Sequence, residues 1–278
     1  MRKTILVFLV CFALLNTASA QGLRTPPAST AQTVKQEFGL GSIELSYSRP
    51  SAKGRKIMGD LVPFGNVWRT GANGATTLTF SNEVTIGQTK VPAGKYGLLT
   101  IPDKDKWTVI ITKQTDVTSP AAYKKENDVV RVEVKPVTLK DHVETFTIQF
   151  ADITTSSLAL QIMWEKTAVT LPITADVESV VMRQIDNIMN GDNRPYYQAA
   201  MYYLENGKDL NKAAEWFDKA VEQQPNAFWV WHYRASCLAK LGKKQEAISS
   251  ANKSIELAKQ AQNQDYVTLN EKLIASLK

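Results

Sequence analysis

The chain has 278 residues, with 33 Lys and Arg against 27 Asp and Glu, a formal charge of +6, and 44% hydrophobic residues. Its charges alternate in sign along the sequence, a balance that neither demands nor excludes a polyanionic partner. Two cysteines, Cys11 and Cys237, and two widely separated histidines, His142 and His232, exclude a multiple-disulfide framework and leave few residues from which to build a nucleophile–base pair.

Residues 1–20 read MRKTILVFLVCFALLNTASA, with Arg2 and Lys3 ahead of an apolar run at 5–15 and a small-residue exit at Ala18, Ser19 and Ala20. This is the layout of a secretory signal peptide cut before Gln21. Val10 stands before Cys11, where lipoprotein processing takes a small residue. Removing the leader subtracts Arg2 and Lys3, taking the formal charge from +6 to +4, and leaves Cys237 as the only cysteine. No later segment approaches the roughly 20 apolar residues of a membrane span. The expected product is therefore soluble and exported, periplasmic or extracellular, with no nucleic-acid partner. A linker at 21–32 leads into the first domain.

From 33 to 174 the chain predicts a β-domain. Short β-branched and aromatic runs fall at 33–38, 43–47, 76–80, 95–101, 107–112, 129–134, 145–150, 158–165 and 168–173. Turn residues separate them at 39–41, 82–83, 92–94 and 102–105. Alternation is clearest where Val130, Val132 and Val134 share a face opposite Arg131, Glu133 and Lys135. About nine strands without an intervening helix pattern predict an antiparallel β-sandwich, jelly-roll-like, with strand order left open.

Within this half, 49–73 packs Arg49, Lys53, Arg55, Lys56, Trp68, Arg69 and Asn73 into Gly- and Pro-rich turns. Guanidinium forks bind carboxylate or phosphate in a bidentate manner, and an indole stacks on a sugar ring or on another cation. Arg49, Arg55, Trp68, Arg69 and Asn73 are thus candidate contacts for an anionic or sugar ligand. The alternative reading has Arg55 and Arg69 tying loops down through Asp60 or Glu44, with Trp68 as core.

After Pro172 the period lengthens from two to about 3.6, and 177–189 predicts an amphipathic helix. Tyr196, Ala199, Ala200, Tyr203, Gly207, Ala213, Phe217, Ala220 and Pro225 then fall on a tetratricopeptide pattern. Trp231, Ala235, Leu238, Gly242 and Ala247 repeat it at a 34-residue period. Gly207 and Gly242 sit where the turn between paired helices needs unusual dihedrals. The second repeat lacks its closing Pro, so its helix is expected to run on toward Gln262, with 177–189 and 266–277 capping the array. The domain thus spans 175–278. Tyr197, Tyr202, Asn206, Tyr233 and Lys240 avoid the packing positions and are candidate contacts for a protein or peptide partner; bracing the β-domain is the other reading.

The string RPSAKGRKIMGDLVPFGNVWRTGAN, followed by TTLTFSNEVTIG, VPAGKYGLLTIP and WTVIIT, resembles the domain-of-unknown-function family 2911, found mainly in Bacteroidota. AAYKKENDVVRVEV and the strand ending in Met163, Trp164, Glu165 and Lys166 extend the resemblance to about 28–174. It implies a signal peptide and, in some members, a similar helical tail ending in a string like YVTLNEKLI. It implies no reaction and no catalytic residue.

Catalytic signals are sparse. His142 reads as an exposed turn residue and His232 as a packed helix residue. The SxxK at Ser250–Lys253 stands alone in a helix without the companion motifs of penicillin-binding enzymes. Asp103, Asp105, Asp116 and Glu126 could hold a hard cation, but Asp103 and Asp105 more simply make the turn before Trp107; no loop has EF-hand spacing, and no cofactor or metal is expected. The sequence is read as an exported, non-enzymatic binding or scaffolding protein of the cell envelope. The competing class is an envelope hydrolase acting on a glycan or peptide through a carboxylate drawn from Asp60, Glu83 or Glu44 and an arginine.

Overall fold

The computed structural model describes residues 25–278; the expected signal peptide at 1–20 and the start of the linker lie outside the described residues. The chain divides into two compact units, one ending at Val177 and one running from Glu178 to Lys278.

The first unit is built of antiparallel strands in two sheets. One has the order β1 (Thr30–Phe38), β2 (Gly41–Arg49), β3 (Thr77–Phe80), β6 (Gly94–Ile101), β7 (Trp107–Thr112) and β8 (Asp128–Val134). The other runs β5 (Thr89–Val91), β4 (Val84–Ile86), β10 (Ser157–Thr174) and β9 (Val137–Ala151). Alternation drives the layering: Leu45, Leu78, Leu98, Val109 and Ile111 from the first sheet meet Phe146, Ile148, Leu160, Ile162 and Leu171 from the second in one buried core. Each such side chain contributes about 1.5–3 kcal/mol through burial. The opposite face of the first sheet carries a smaller apolar cluster of Leu99, Ile110 and Val117. Among the described residues β1 pairs only with β2, which leaves its outer edge open.

Two features differ from the sequence expectation. The hairpin of β4 and β5 is absent from it, because strands of three residues are too short for a period of two to register. The runs expected at 158–165 and 168–173 form one strand, β10. Its inward residues are even-numbered from Leu158 to Trp164 and odd-numbered from Val169 to Ile173. That change of phase requires a bulge, which falls between Met163 and Thr167, where Glu165 takes a φ of 50°.

The second unit is six helices: α1 (Val177–Met189), α2 (Tyr196–Glu205), α3 (Leu210–Gln223), α4 (Phe228–Lys240), α5 (Lys244–Gln260) and α6 (Gln264–Ser276). Buried Ala200, Ala213, Ala235 and Ala247 stand on α2 to α5, and Phe217 is fully buried beside them. Gly207 and Gly242 take φ of 63° and 76° in the turns of the two hairpins, the left-handed conformation expected of them. Asp209 caps α3 by accepting from the N–H groups of Asn211 and Lys212, and Asn263 caps α6 through the N–H of Tyr266. α5 ends at Gln260, close to the expected limit. No helix among the described residues is long and apolar enough to cross a membrane.

Candidate functional site

Two loops of the β-unit build a cavity of about 510 Å3. The first leaves β2 at Arg49 and is laced to β9: Ala52 N–H donates to Glu144 O at 2.8 Å and Phe146 N–H to Pro50 O at 2.8 Å. The second runs 66–76 and is laced to β6, where Trp68 N–H donates to Thr100 O at 2.7 Å and Thr100 N–H to Trp68 O at 3.0 Å. Loop residues thereby gain the rigidity of the sheets beside them.

The second loop is held under backbone strain. Thr70, fully buried and β-branched, has a φ of 54°, a conformation costing about 1–3 kcal/mol for such a residue. Hydrogen bonds hold it there: its hydroxyl donates to Trp68 O, stands 3.0 Å from that of Thr100, and its carbonyl accepts from Thr76 Oγ1 at 2.7 Å. Gly71, at φ 154°, lies so close to β2 that a Cβ would meet Ser48 O at 3.1 Å and Thr76 Oγ1 at 2.9 Å. The flanking Arg69 is aimed as a result.

Of the five candidates in this half, Arg55, Trp68 and Arg69 line the cavity, joined by Lys53, Leu61 and Trp164. Arg49 and Asn73 do not. Arg49 donates to Phe146 O and Thr147 Oγ1 from the end of β2, and Asn73 donates to Ser29 O at 3.0 Å. Arg55 is braced by Ser51 O and Ala52 O, and Arg69 Nη1 donates to Thr118 O at 2.9 Å. The loop ties foreseen through Asp60 or Glu44 are instead made to backbone carbonyls. Arg69 Nε is shielded from solvent and, among the described residues, has no hydrogen-bond partner. Trp68 stacks on Trp164 with centroids 5.9 Å apart and planes at 17°, and meets Phe146 edge-on at 5.0 Å. No carboxylate lines the cavity among the described residues. Outside the lining, Glu144 accepts from Lys53 N–H at 2.7 Å; that bond, followed by His142 beside it and the charge of Arg55, holds its carboxyl below the usual range. Trp164 was not among the sequence candidates, although the alternation of Leu160, Ile162 and Trp164 marks its face.

In the helical unit the candidates separate. Tyr197 on α2 and Tyr233 on α4 stand 6.2 Å apart, and His232 bridges onward to Tyr266 of α6 at 5.3 Å. Tyr197 and Tyr233 thus come from the leading helices of the two hairpins, and Tyr266 from the helix that follows them. Burial, followed by the neighbouring Tyr233 and Tyr266, pushes the Tyr197 hydroxyl up to about 12, and burial also raises Tyr266. Tyr266 was missed as a contact, though it follows Tyr233 by 33 residues, near the repeat period. Tyr202 lines a different groove of about 230 Å3 between α1 and α2. Asn206 closes α2 by donating to Tyr202 O, and Lys240 Nζ reaches Leu204 O at 3.5 Å, so both bind helix ends.

His142 lies within strand β9, not in a turn, and is exposed beside Glu144 at 3.3 Å. His232 Nδ1 lies 2.9 Å from Asn270 Oδ1 in the helical core. Ser250 donates to Glu246 O within α5. Among the described residues no group of three or more His, Cys, Asp or Glu stands where it could hold a metal ion.

A family model described as protein of unknown function (DUF2911) matches residues 29–173. Two tetratricopeptide-repeat models match 194–227 and 216–249. No curated protein and no solved structure matches the chain.

Proposed function

Because the chain belongs to the DUF2911 family, whose model covers just over half of it and brings no activity with it, we propose that this is an exported binding or scaffolding protein of the cell envelope whose helical repeats engage a protein partner. The observation that carries the reading is the tyrosine row Tyr197–Tyr233–Tyr266 along the leading helices of the two hairpins and the helix α6 that follows them. Tyrosine supplies broad, amphipathic contact area at low cost in side-chain entropy, which is why it is enriched where proteins meet. Tetratricopeptide repeats present such helices as an extended binding surface. The signal-peptide layout of residues 1–20 supports the exported location.

The test replaces Tyr197 and Tyr233 by Ser in the full chain, after confirming an unchanged helical circular-dichroism spectrum. Crosslinking in cells followed by identification is expected to recover partners with the native chain and lose them with the double variant. An identical partner list for both chains overturns the reading. Fractionation of the same cells locates the protein, and recovery in the cytoplasm would remove the exported half of the proposal.

A further inference from the structure

The cavity of the β-unit has three properties that together define what fits it. Its lining is of one charge: Lys53, Arg55 and Arg69 and, among the described residues, no carboxylate, with Glu144 standing outside it beside Lys53 and Arg55. One side is aromatic, formed by half-buried Trp68 backed by buried Trp164, with exposed Leu61 extending the apolar rim. Its volume of about 510 Å3 lies in the range of about 300–1,000 Å3 found for small-molecule sites, more room than a lone inorganic anion fills.

Arg69 sharpens the assignment. Its Nη1 donates to Thr118 O and its Nε is shielded from solvent, so the loop strained at Thr70 holds the guanidinium in place and offers the cavity a positioned positive charge. Three cations lining one cavity select an anionic group, and a carboxylate accepts hydrogen bonds from guanidinium and ammonium donors alike. An indole wall selects a flat, weakly polar face such as the C–H side of a pyranose ring.

We propose that this cavity binds an acidic sugar, with the carboxylate held by Arg69 and Arg55, Lys53 supplying long-range attraction, and the ring lying against Trp68, which buried Trp164 backs. The choice of a saccharide over other ring-bearing anions rests on the exported location proposed above. The binding assay and the cell fractionation fail independently, so the two are separable.

The experiment is isothermal titration calorimetry of the chain from Gln21 to Lys278 with trigalacturonate, against maltotriose, inorganic phosphate, benzoate and adenosine monophosphate at equal ionic strength. Trigalacturonate is expected to bind, maltotriose to bind about ten-fold or more weakly, and added salt to weaken the acidic ligand alone. Arg69→Gln is expected to lower affinity about ten-fold or more. Should that variant fail to fold, the double variant Lys53→Ala/Arg55→Ala, in which both side chains are exposed, carries the same expectation. No binding of trigalacturonate at millimolar concentration, equal binding of maltotriose, tighter binding of benzoate, phosphate or the nucleotide, or undiminished affinity in the folded variants overturns the proposal.

Discussion

At the scale of single residues, the hydroxyl of Tyr123 shows how one group limits the pH range of a loop. It donates to Asp128 Oδ2 at 2.5 Å and accepts from Arg131 Nη1 at 2.7 Å, closing the segment between β7 and β8. Burial first, then the hydrogen bond to Asp128, raises it from 10.0 to about 12. A group whose folded value is raised contributes stability that is whole below its unfolded value and is lost as pH climbs through the folded one. The melting temperature of the native chain should therefore fall more steeply between pH 10 and 12 than that of Tyr123→Phe, and parallel profiles would contradict this. The same scale sets the reach of sequence reading. Arg55, Trp68 and Arg69 were legible because guanidinium and indole groups in turns are conspicuous. Arg49 and Asn73 looked equivalent but are engaged elsewhere, since the destination of a long side chain depends on strands such as β9 that lie about a hundred residues away. Thr70 gave no signal at all: nothing in its identity announces a left-handed backbone.

At the scale of elements, the last helix is held by a buried polar link. Asn270, fully buried on α6, donates through Nδ2 to Ser254 Oγ of α5 at 2.9 Å and to Tyr266 O at 2.7 Å, while His232 of α4 faces its Oδ1. Replacing it by Ala leaves those buried partners unmatched, so Asn270→Ala should cost about 1–3 kcal/mol in urea denaturation followed by the helical signal. An unchanged midpoint would show that water replaces the link without loss. Helix boundaries were readable here because glycine turns and a 34-residue period repeat a local rule. β10 was read as two strands because its bulge reverses the inward parity, and a rule of alternation sees such a reversal as a break.

At the scale of the molecule, each unit carries its own apolar core, one dominated by Leu, Ile, Val and aromatic residues of two sheets, the other by Ala and Tyr between helices. Separate cores unfold as separate cooperative units. Scanning calorimetry of the full chain is expected to resolve two transitions, and a variant such as Asn270→Ala should move only one; a single transition shifted as a whole would refute this independence. Two layers followed by repeats could be inferred from the change of period near Pro172, whereas strand order could not, because pairing across the sheets is set by contacts far apart in the chain. The open edge of β1 has a colloidal consequence. A nine-residue strand with unpaired amides along one side is a template for another copy of itself, and here Lys35 and Glu37 stand exposed along it. Those two charges give neighbouring molecules a desolvation barrier to edge-on association, so neutralising both should favour pairing of two β1 edges into a dimer.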